Sequence, residues 1–474
     1  MSKTTDILTK AKEITDIDKG WVSVGVGFKE KNGEHTGEQC MTLLVSEKKA
    51  LSALSSDEIF PSTVNVNGED INTDVVEMPI PVQFESQCYE DETVAPISEH
   101  RAVVRPIEGG ISMGTIPPNG FSGGYRSGCT FGGIAVDKED NTIVGLTNNH
   151  CMGNLINPTD TGGHDPYYES FLGKKYYSPD NAVLTFPDAT TYTGGQGLPV
   201  FQNGSIDAGT SAQSTLEPLT IGIYKRAKPW FYNNTGGVYN KVDTAIFSLS
   251  SRHDPGDDVI FDADESFKQL NLDETSTMSW ATEEEISSLL DADNITEGCG
   301  WAVFKGGRTT GPVGWPGSDP YGSDSCTLSC FFIGGASTNL RGNPAQPSNQ
   351  GMIYYGPQVF FRGNTDPGSS GDSGSMVCAL FNQGTGSEEW KIIAHFWGGS
   401  GPTGDSPNGY GVGSRISDVA SELNLEAYTG QTSSLTSTKT TKIVQGYQND
   451  DTLEIDGKTY YAVGITSEDP NYTP

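Results

Sequence analysis

The sequence predicts a mainly β protein with a small α/β module at its N-terminus and a β-hairpin at its C-terminus. Three observations carry this expectation. From Gly109 onward the apolar runs are short and are split by Gly, Pro, Asn and Asp, as in strands joined by turns. Strands of that kind close into a sandwich or a barrel. Residues 1–100 instead mix one helical stretch with several strand-like ones. Near the end, Asp456-Gly457 separates two alternating segments, a hairpin signal. The chain therefore divides into a module over 1–100, a body over 105–430, and a linker with a hairpin over 431–474.

Ile7, Leu8, Ala11 and Ile14 share one helical face, so residues 4–14 are read as a helix. Residues 21–28 alternate and are read as a strand, with a second strand at 41–45 and a turn over 30–34. Residues 51–59 are expected to form a short helix stopped by Pro61. Strands at 64–66 and 73–77 flank Asn67-Gly68. The module serves either as a docking or folding unit or as an inhibitory propeptide, and 95–108 is its linker. In the body, strands over 132–136 and 143–146 lead to His150. Insertions are expected near 155–235, 252–297 and 312–351. Within the second, 282–290 is read as a solvated surface helix, its first turn holding Glu283-Glu284-Glu285, where the helix dipole favours negative charge. Residues 418–423 are read as a helix capped by Ser417 or Asp418. After a Ser/Thr-rich linker at 429–442, the hairpin over 452–463 is marginal alone and is expected to dock on the body or on a partner chain.

Gly371-Asp372-Ser373-Gly374 sets a serine on a glycine turn, where a hydroxyl can be exposed beside backbone N–H groups. Ser373 is the candidate nucleophile. Upstream stand Thr147-Asn148-Asn149-His150-Cys151 and Asp243-Thr244-Ala245-Ile246, giving the order His, Asp, Ser. Asp180, in Pro179-Asp180-Asn181-Ala182-Val183, rivals Asp243 as the acid. His395 follows the serine and is read as a packing or surface residue. His164, with Asp160 and Asp165, is either a metal site or a solvated loop. Cys326-x-x-x-Cys330 is a possible zinc half-site without a second pair of metal-ligand spacing nearby.

The three motifs together resemble the chymotrypsin and trypsin-like serine proteases. Ser205-Ile206-Asp207-Ala208-Gly209 and Gly307-Arg308-Thr309-Thr310-Gly311 are similar to bacterial members. The stretches around Gly25-Val26-Gly27-Phe28 and Met41-Thr42-Leu43-Leu44-Val45 resemble the leader of bacterial and plant proteins of the NARROW LEAF type. The resemblance implies a double β-barrel, with His150 and Asp243 from the first barrel and Ser373 from the second. It implies an oxyanion hole from the N–H groups of Gly371 and Ser373. It implies a disulfide between Cys129 and Cys151, against which stand two buried thiols. Its substrate pocket falls on Phe396, Trp397, Gly398 and Gly411, with Pro367 at the floor and Asp366 beside it. The backbone of residues 392–399 pairs with the substrate chain in that family, and Phe396 replaces its usual serine. The aspartate before the serine often pairs there with a new N-terminus made by activation cleavage. No processing site is evident in this sequence, so the partner of Asp372 is open.

The implied activity is a serine endopeptidase with a polypeptide substrate and no metal or cofactor. The alternative is a latent or non-catalytic component of a virion or other assembly, and a homo-oligomer is open as well. The order Ser, acid, His of α/β-hydrolases is absent. The formal charge of −32 over 474 residues disfavours nucleic acid, whose phosphates need a basic surface. No apolar run approaches the ~20 residues of a membrane helix, and residues 1–20 lack the apolar core of a secretory signal. The expectation is a cytoplasmic protein, or one released by lysis or within a larger particle.

Overall fold

A computed structural model describes residues 3–14, 21–31, 34–83, 86–88, 99–115, 126–152, 175–177, 184–185, 199–209, 219–228, 240–249, 268–269, 279–290, 303–314, 329–333, 336–339, 352–362, 366–382, 385–401, 409–428, 452–455 and 458–463. Most described elements are strands, gathered into two curled sheets of a chymotrypsin-like double β-barrel. The first runs through Leu425–Ala427, Gly133–Asp137, Thr142–Thr147, Ala245–Leu249 and Thr220–Ala227, then Leu184–Thr185, Lys175–Tyr177, Lys458–Val463 and Thr452–Ile455. Pro199–Phe201, Ile111–Thr115 and Arg126–Phe131 continue it from the side of Thr220–Ala227. The second runs through Gly311–Val313, Val303–Gly307, Met376–Phe381, Glu389–Ser400, Tyr410–Arg415, Gln358–Arg362 and Ser329–Ile333.

The second sheet does not stop there. Trp21–Lys31 pairs with Ser329–Ile333 on one side and with Glu34–Val45 on the other, and Glu69–Glu77 and Thr63–Val66 follow. One apolar cluster accordingly runs from Val24 and Leu44 to Phe304, Phe361 and Ile393, whereas Ile111, Phe131, Val200 and Phe247 fill the first barrel. Burial of these apolar faces drives the assembly, each large side chain contributing about 2 kcal/mol.

Several local expectations change. The first hairpin is longer than expected: its strands extend to Lys31 and from Glu34, and these two residues pair with each other. Residues 51–59 form only a one-turn 3-10 helix, Leu51–Ala53, because Leu51 and Ile59 are 71% and 43% exposed and have no face to bury. The helix Glu283–Ser288 is not merely solvated. Ile286, Leu289 and Leu290 are buried beside the N-terminal helix Lys3–Ile14, and Gln39 Nε2 donates to both Thr4 Oγ1 (2.8 Å) and the Leu290 carbonyl (2.7 Å). Its N-terminus carries a Thr282–Glu285 capping box. The last helix starts earlier than expected, at Ile416, with Arg415 at the cap position and no side-chain capping bond. The C-terminal hairpin docks on the body by pairing Lys458–Val463 with Lys175–Tyr177. Among the described residues no helix is long and apolar enough to cross a membrane.

Candidate active site

His150 sits in the one-turn helix Asn149–Met152, which begins just after the strand Thr142–Thr147. Asp243 lies two residues before the neighbouring strand Ala245–Leu249, and the pairing of Thr147 with Ala245 brings these ends together. His150 Nδ1 is 2.6 Å from Asp243 Oδ2, and the His150 amide donates to Asp243 Oδ1 at 3.2 Å. An ionised carboxylate only accepts, so Nδ1 carries the proton and Nε2 presents its lone pair. Nε2 is buried and has no hydrogen-bond partner among the described residues.

Ser373 occupies the turn before Met376–Phe381. That turn is clamped from both barrels. Thr130 N donates to the Ser373 carbonyl at 2.8 Å, and Thr130 Oγ1 donates to the Gly371 carbonyl at 2.9 Å. From the other side Gly374 N donates to Phe396 O at 2.9 Å and Phe396 N to Ser375 O at 2.8 Å. Such close packing needs glycine: Gly374 has φ +100°, and a Cβ there would lie 2.1 Å from the Thr130 carbonyl oxygen. Ser373 Oγ donates to the Trp397 carbonyl at 3.0 Å. The N–H groups of Gly371 and Ser373 donate to no described residue. Cys129 and Cys151 are joined in a disulfide, and Cys151 Sγ lies 3.7 Å from the Ser373 carbonyl oxygen, so the histidine helix abuts the serine turn.

Asp372 has a fixed partner within the chain. Its buried carboxylate accepts from Lys305 Nζ (3.0 Å), Thr309 N (2.7 Å), Thr310 N (3.1 Å), Thr310 Oγ1 (2.8 Å) and Ser369 N (3.0 Å). Burial raises its pKa, but the Lys305 charge and the N–H donors outweigh that and hold it below the ordinary carboxylate range. The partner of Asp372, open in the sequence, is therefore Lys305. Sequence reading missed Lys305. Its signal was a lone charge inside Val303-Phe304-Lys305-Gly306-Gly307, a strand whose five residues are all buried. Next to it, Arg308 joins the barrels by a paired contact with Asp207, Nη2 donating to Oδ1 at 2.7 Å.

His395 is a strut rather than a surface residue. Nε2 lies 3.1 Å from the Gly374 carbonyl, which only accepts, so Nε2 bears the hydrogen and Nδ1 accepts from Thr244 Oγ1 at 2.8 Å. It thereby ties the acid's strand to the serine's turn. Burial pushes its pKa down to about 3. The folded protein therefore keeps it neutral while the unfolded chain protonates it below its usual value of 6.5. Stability from this group is fully present above pH 6.5 and declines toward pH 3. In His395→Gln, urea unfolding measured from pH 7 to 4 is expected to show a shallower decline, by on the order of 1 kcal/mol per pH unit.

Phe396 is buried with its ring against Gly368, where a Cβ would come within 2.3 Å, and Lys305 Nζ is 4.9 Å from the ring centroid. Gly411 faces the Phe361 ring, itself 5.8 Å from Phe396. Pro367 is buried. Trp397 gives the site its carbonyl but not its ring, which stacks on Tyr355 at 4.8 Å and donates to Gln358 Oε1 at 2.8 Å. The strand's register shifts between Phe396 and Gly398, which breaks the alternation expected of it. Asp366 lies at the surface and accepts from Gly368 N at 3.1 Å. Partial desolvation by the surrounding loop, with the Asp372 charge nearby, raises its pKa above the ordinary value. Gly398 lies in the strand Glu389–Ser400, opposite Val412 on one side and Gln83 on the other. The rival acid Asp180, His164 with Asp160 and Asp165, Cys326 and the linker at 429–442 lie outside the described residues.

No family model matches the chain, and no curated protein does. Among solved structures the chain is similar to a glutamic acid specific serine protease at 13% identity, covering 68% of this chain and 100% of that one, with a TM-score of 0.29. It is similar to Cellulomonas bogoriensis chymotrypsin at 13% identity, covering 68% and 98%, with a TM-score of 0.28. Thermobifida fusca protease A gives 13% identity over 68% and 99%, with a TM-score of 0.28. At these values the fold rests on the two sheets and their pairing.

Proposed function

We propose that the chain is a serine endopeptidase that cuts peptide bonds through an acyl-enzyme. The observation that carries this reading is the buried His150–Asp243 contact of 2.6 Å, which leaves His150 Nε2 unpartnered beside the turn of Ser373. In the reaction the Ser373 hydroxyl leaves the Trp397 carbonyl and gives its proton to His150 Nε2 as Oγ attacks the substrate carbonyl. Asp243 keeps the imidazole in the Nδ1–H tautomer and stabilises its cation. The open N–H groups of Gly371 and Ser373 receive the developing oxyanion. His150 then protonates the leaving amine, and water repeats the sequence on the ester. Lys305 holds Asp372, and with it the orientation of both amides. Asp243→Asn keeps the shape and forces the wrong tautomer. It is expected to lower kcat against a peptide substrate by about 10⁴-fold with little change in KM. An unchanged kcat would remove Asp243 from the mechanism.

One observation favours a second reading, that the chain as folded is latent: Ser373 and His150 are 0% and 2% exposed.

A further inference from the structure

Both amides that receive the oxyanion in the proposed reaction belong to peptide units whose other end is held by a hydroxyl. A trans peptide is planar, and its C=O and N–H point in opposite directions, so whatever fixes the carbonyl fixes the amide. The Gly371 N–H shares its unit with the Ser370 carbonyl, and the Ser373 N–H shares one with the Asp372 carbonyl. Thr309 Oγ1 donates to the Ser370 carbonyl at 2.6 Å. Ser375 Oγ donates to the Asp372 carbonyl at 2.5 Å.

The two holds are unequal. The Asp372 carbonyl also accepts from Ser375 N at 3.0 Å, so that unit keeps a backbone bond without the hydroxyl. Among the described residues nothing but Thr309 donates to the Ser370 carbonyl. Nor does local conformation fix that unit. Turning it over changes ψ of Ser370 and φ of Gly371, and Gly371, at φ +97°, accepts either sign of φ at little cost. The next unit is held independently, since Thr130 Oγ1 donates to the Gly371 carbonyl at 2.9 Å.

Thr309 is itself anchored. Its Oγ1 accepts from Arg308 Nη1 at 3.1 Å, and that guanidinium is paired with Asp207, Nη2 to Oδ1 at 2.7 Å. Asp207 accepts in turn from Ser112 Oγ at 2.6 Å. Thr309 N donates to Asp372 Oδ1 at 2.7 Å. One residue thus meets the buried carboxylate through its amide and the oxyanion unit through its hydroxyl. Lys305 and Asp372 place the hairpin, and Thr309 passes that placement on to Gly371.

Resting on the protease reading, we propose that Thr309 is a positioning residue of the oxyanion hole, its hydroxyl holding the Ser370–Gly371 peptide so that the Gly371 N–H stays turned toward the reacting carbonyl. The hydroxyl touches neither the substrate nor the reacting atoms and acts through that one amide.

The test compares Thr309→Val, Thr309→Ala, Thr309→Ser and Ser375→Ala in two readouts: kcat and KM for a peptide substrate, and crystal structures of the same full-length proteins. Valine and alanine remove the hydroxyl and keep the backbone bond to Asp372. Each is expected to lower kcat by about 100-fold, the loss of one oxyanion donor, with KM within a few-fold. Their crystals are expected to show the Ser370–Gly371 peptide turned over. Thr309→Ser restores both, and Ser375→Ala loses less than about 10-fold because the Ser375 amide remains. A peptide that keeps its orientation in both Thr309→Val and Thr309→Ala overturns the inference, whatever the activity. A turned peptide with unchanged kcat overturns it as well, because the Gly371 N–H then takes no part in the reaction. If the wild type hydrolyses no peptide and takes no fluorophosphonate, before or after limited proteolysis, while the peptide still turns over in the variants, the protease reading falls and the hold of Thr309 on the Gly371 amide stands.

Discussion

Ser373→Ala and His150→Ala are each expected to lower kcat for peptide hydrolysis by about 10⁶-fold, and the double variant by no more than that. The reason is that the two side chains act in one proton transfer. Without His150 Nε2 the hydroxyl has no base, and without the hydroxyl the base has no nucleophile to activate. Binding and the two oxyanion amides survive in both variants, so KM is expected to stay within a few-fold. The fold is expected to survive as well. Among the described residues the His150 side chain hydrogen-bonds only to Asp243 and the Ser373 hydroxyl only to the Trp397 carbonyl, so each change removes a single side-chain bond. Kinetics on the purified variants check this, with circular dichroism as the control for folding. Additive losses in the double variant would mean that the two residues do not act together.

The second large effect is expected at Lys305. Its Nζ and the Asp372 carboxylate are both fully buried, 3.0 Å apart. Removing one partner of such a pair typically costs about 3–5 kcal/mol, because the other charge stays desolvated. Lys305→Met is expected near the lower figure, since Thr309, Thr310 and Ser369 still donate to Asp372. The pH dependence follows from the depressed pKa of Asp372. In the wild type its contribution is present above the unfolded value of about 3.9 and is lost only as pH falls through the lower folded value. In Lys305→Met burial acts with less opposition, the folded pKa rises, and the acid-unfolding midpoint moves up. Lys305→Met combined with Asp372→Leu is expected to recover much of the stability, but not the activity, because nothing then orients the amides of Gly371 and Ser373. Thermal melts across pH 3–7 and kcat on the same proteins separate the two effects.

The candidate site was legible where its chemistry is local. Glycines around Ser373, the strand ending before His150 and the apolar strand after Asp243 each lie within a few residues of the side chain they place. What escaped depends on distance or on irregularity. Lys305 meets Asp372 across 67 residues of sequence, and no periodicity links them. Trp397 donates its ring N–H to Gln358 across 39 residues of sequence, which no local pattern announces. The fold shows the same division. The helix Lys3–Ile14 and the Asn67-Gly68 turn, with φ of +51° and +90°, follow from local pattern. The partner of Trp21–Lys31, however, is Ser329–Ile333, so the strand's alternation announced a sheet without saying which one. The helix Glu283–Ser288 likewise looked solvated because its apolar partner is the N-terminal helix.

The most direct test of an assembled triad is fluorophosphonate labelling of the folded chain, before and after limited proteolysis, with the labelled peptide mapped by mass spectrometry. Label on Ser373 that disappears in His150→Ala is the predicted result. A folded chain in which Ser373 takes no label under either condition, or takes it equally without His150, would contradict the account.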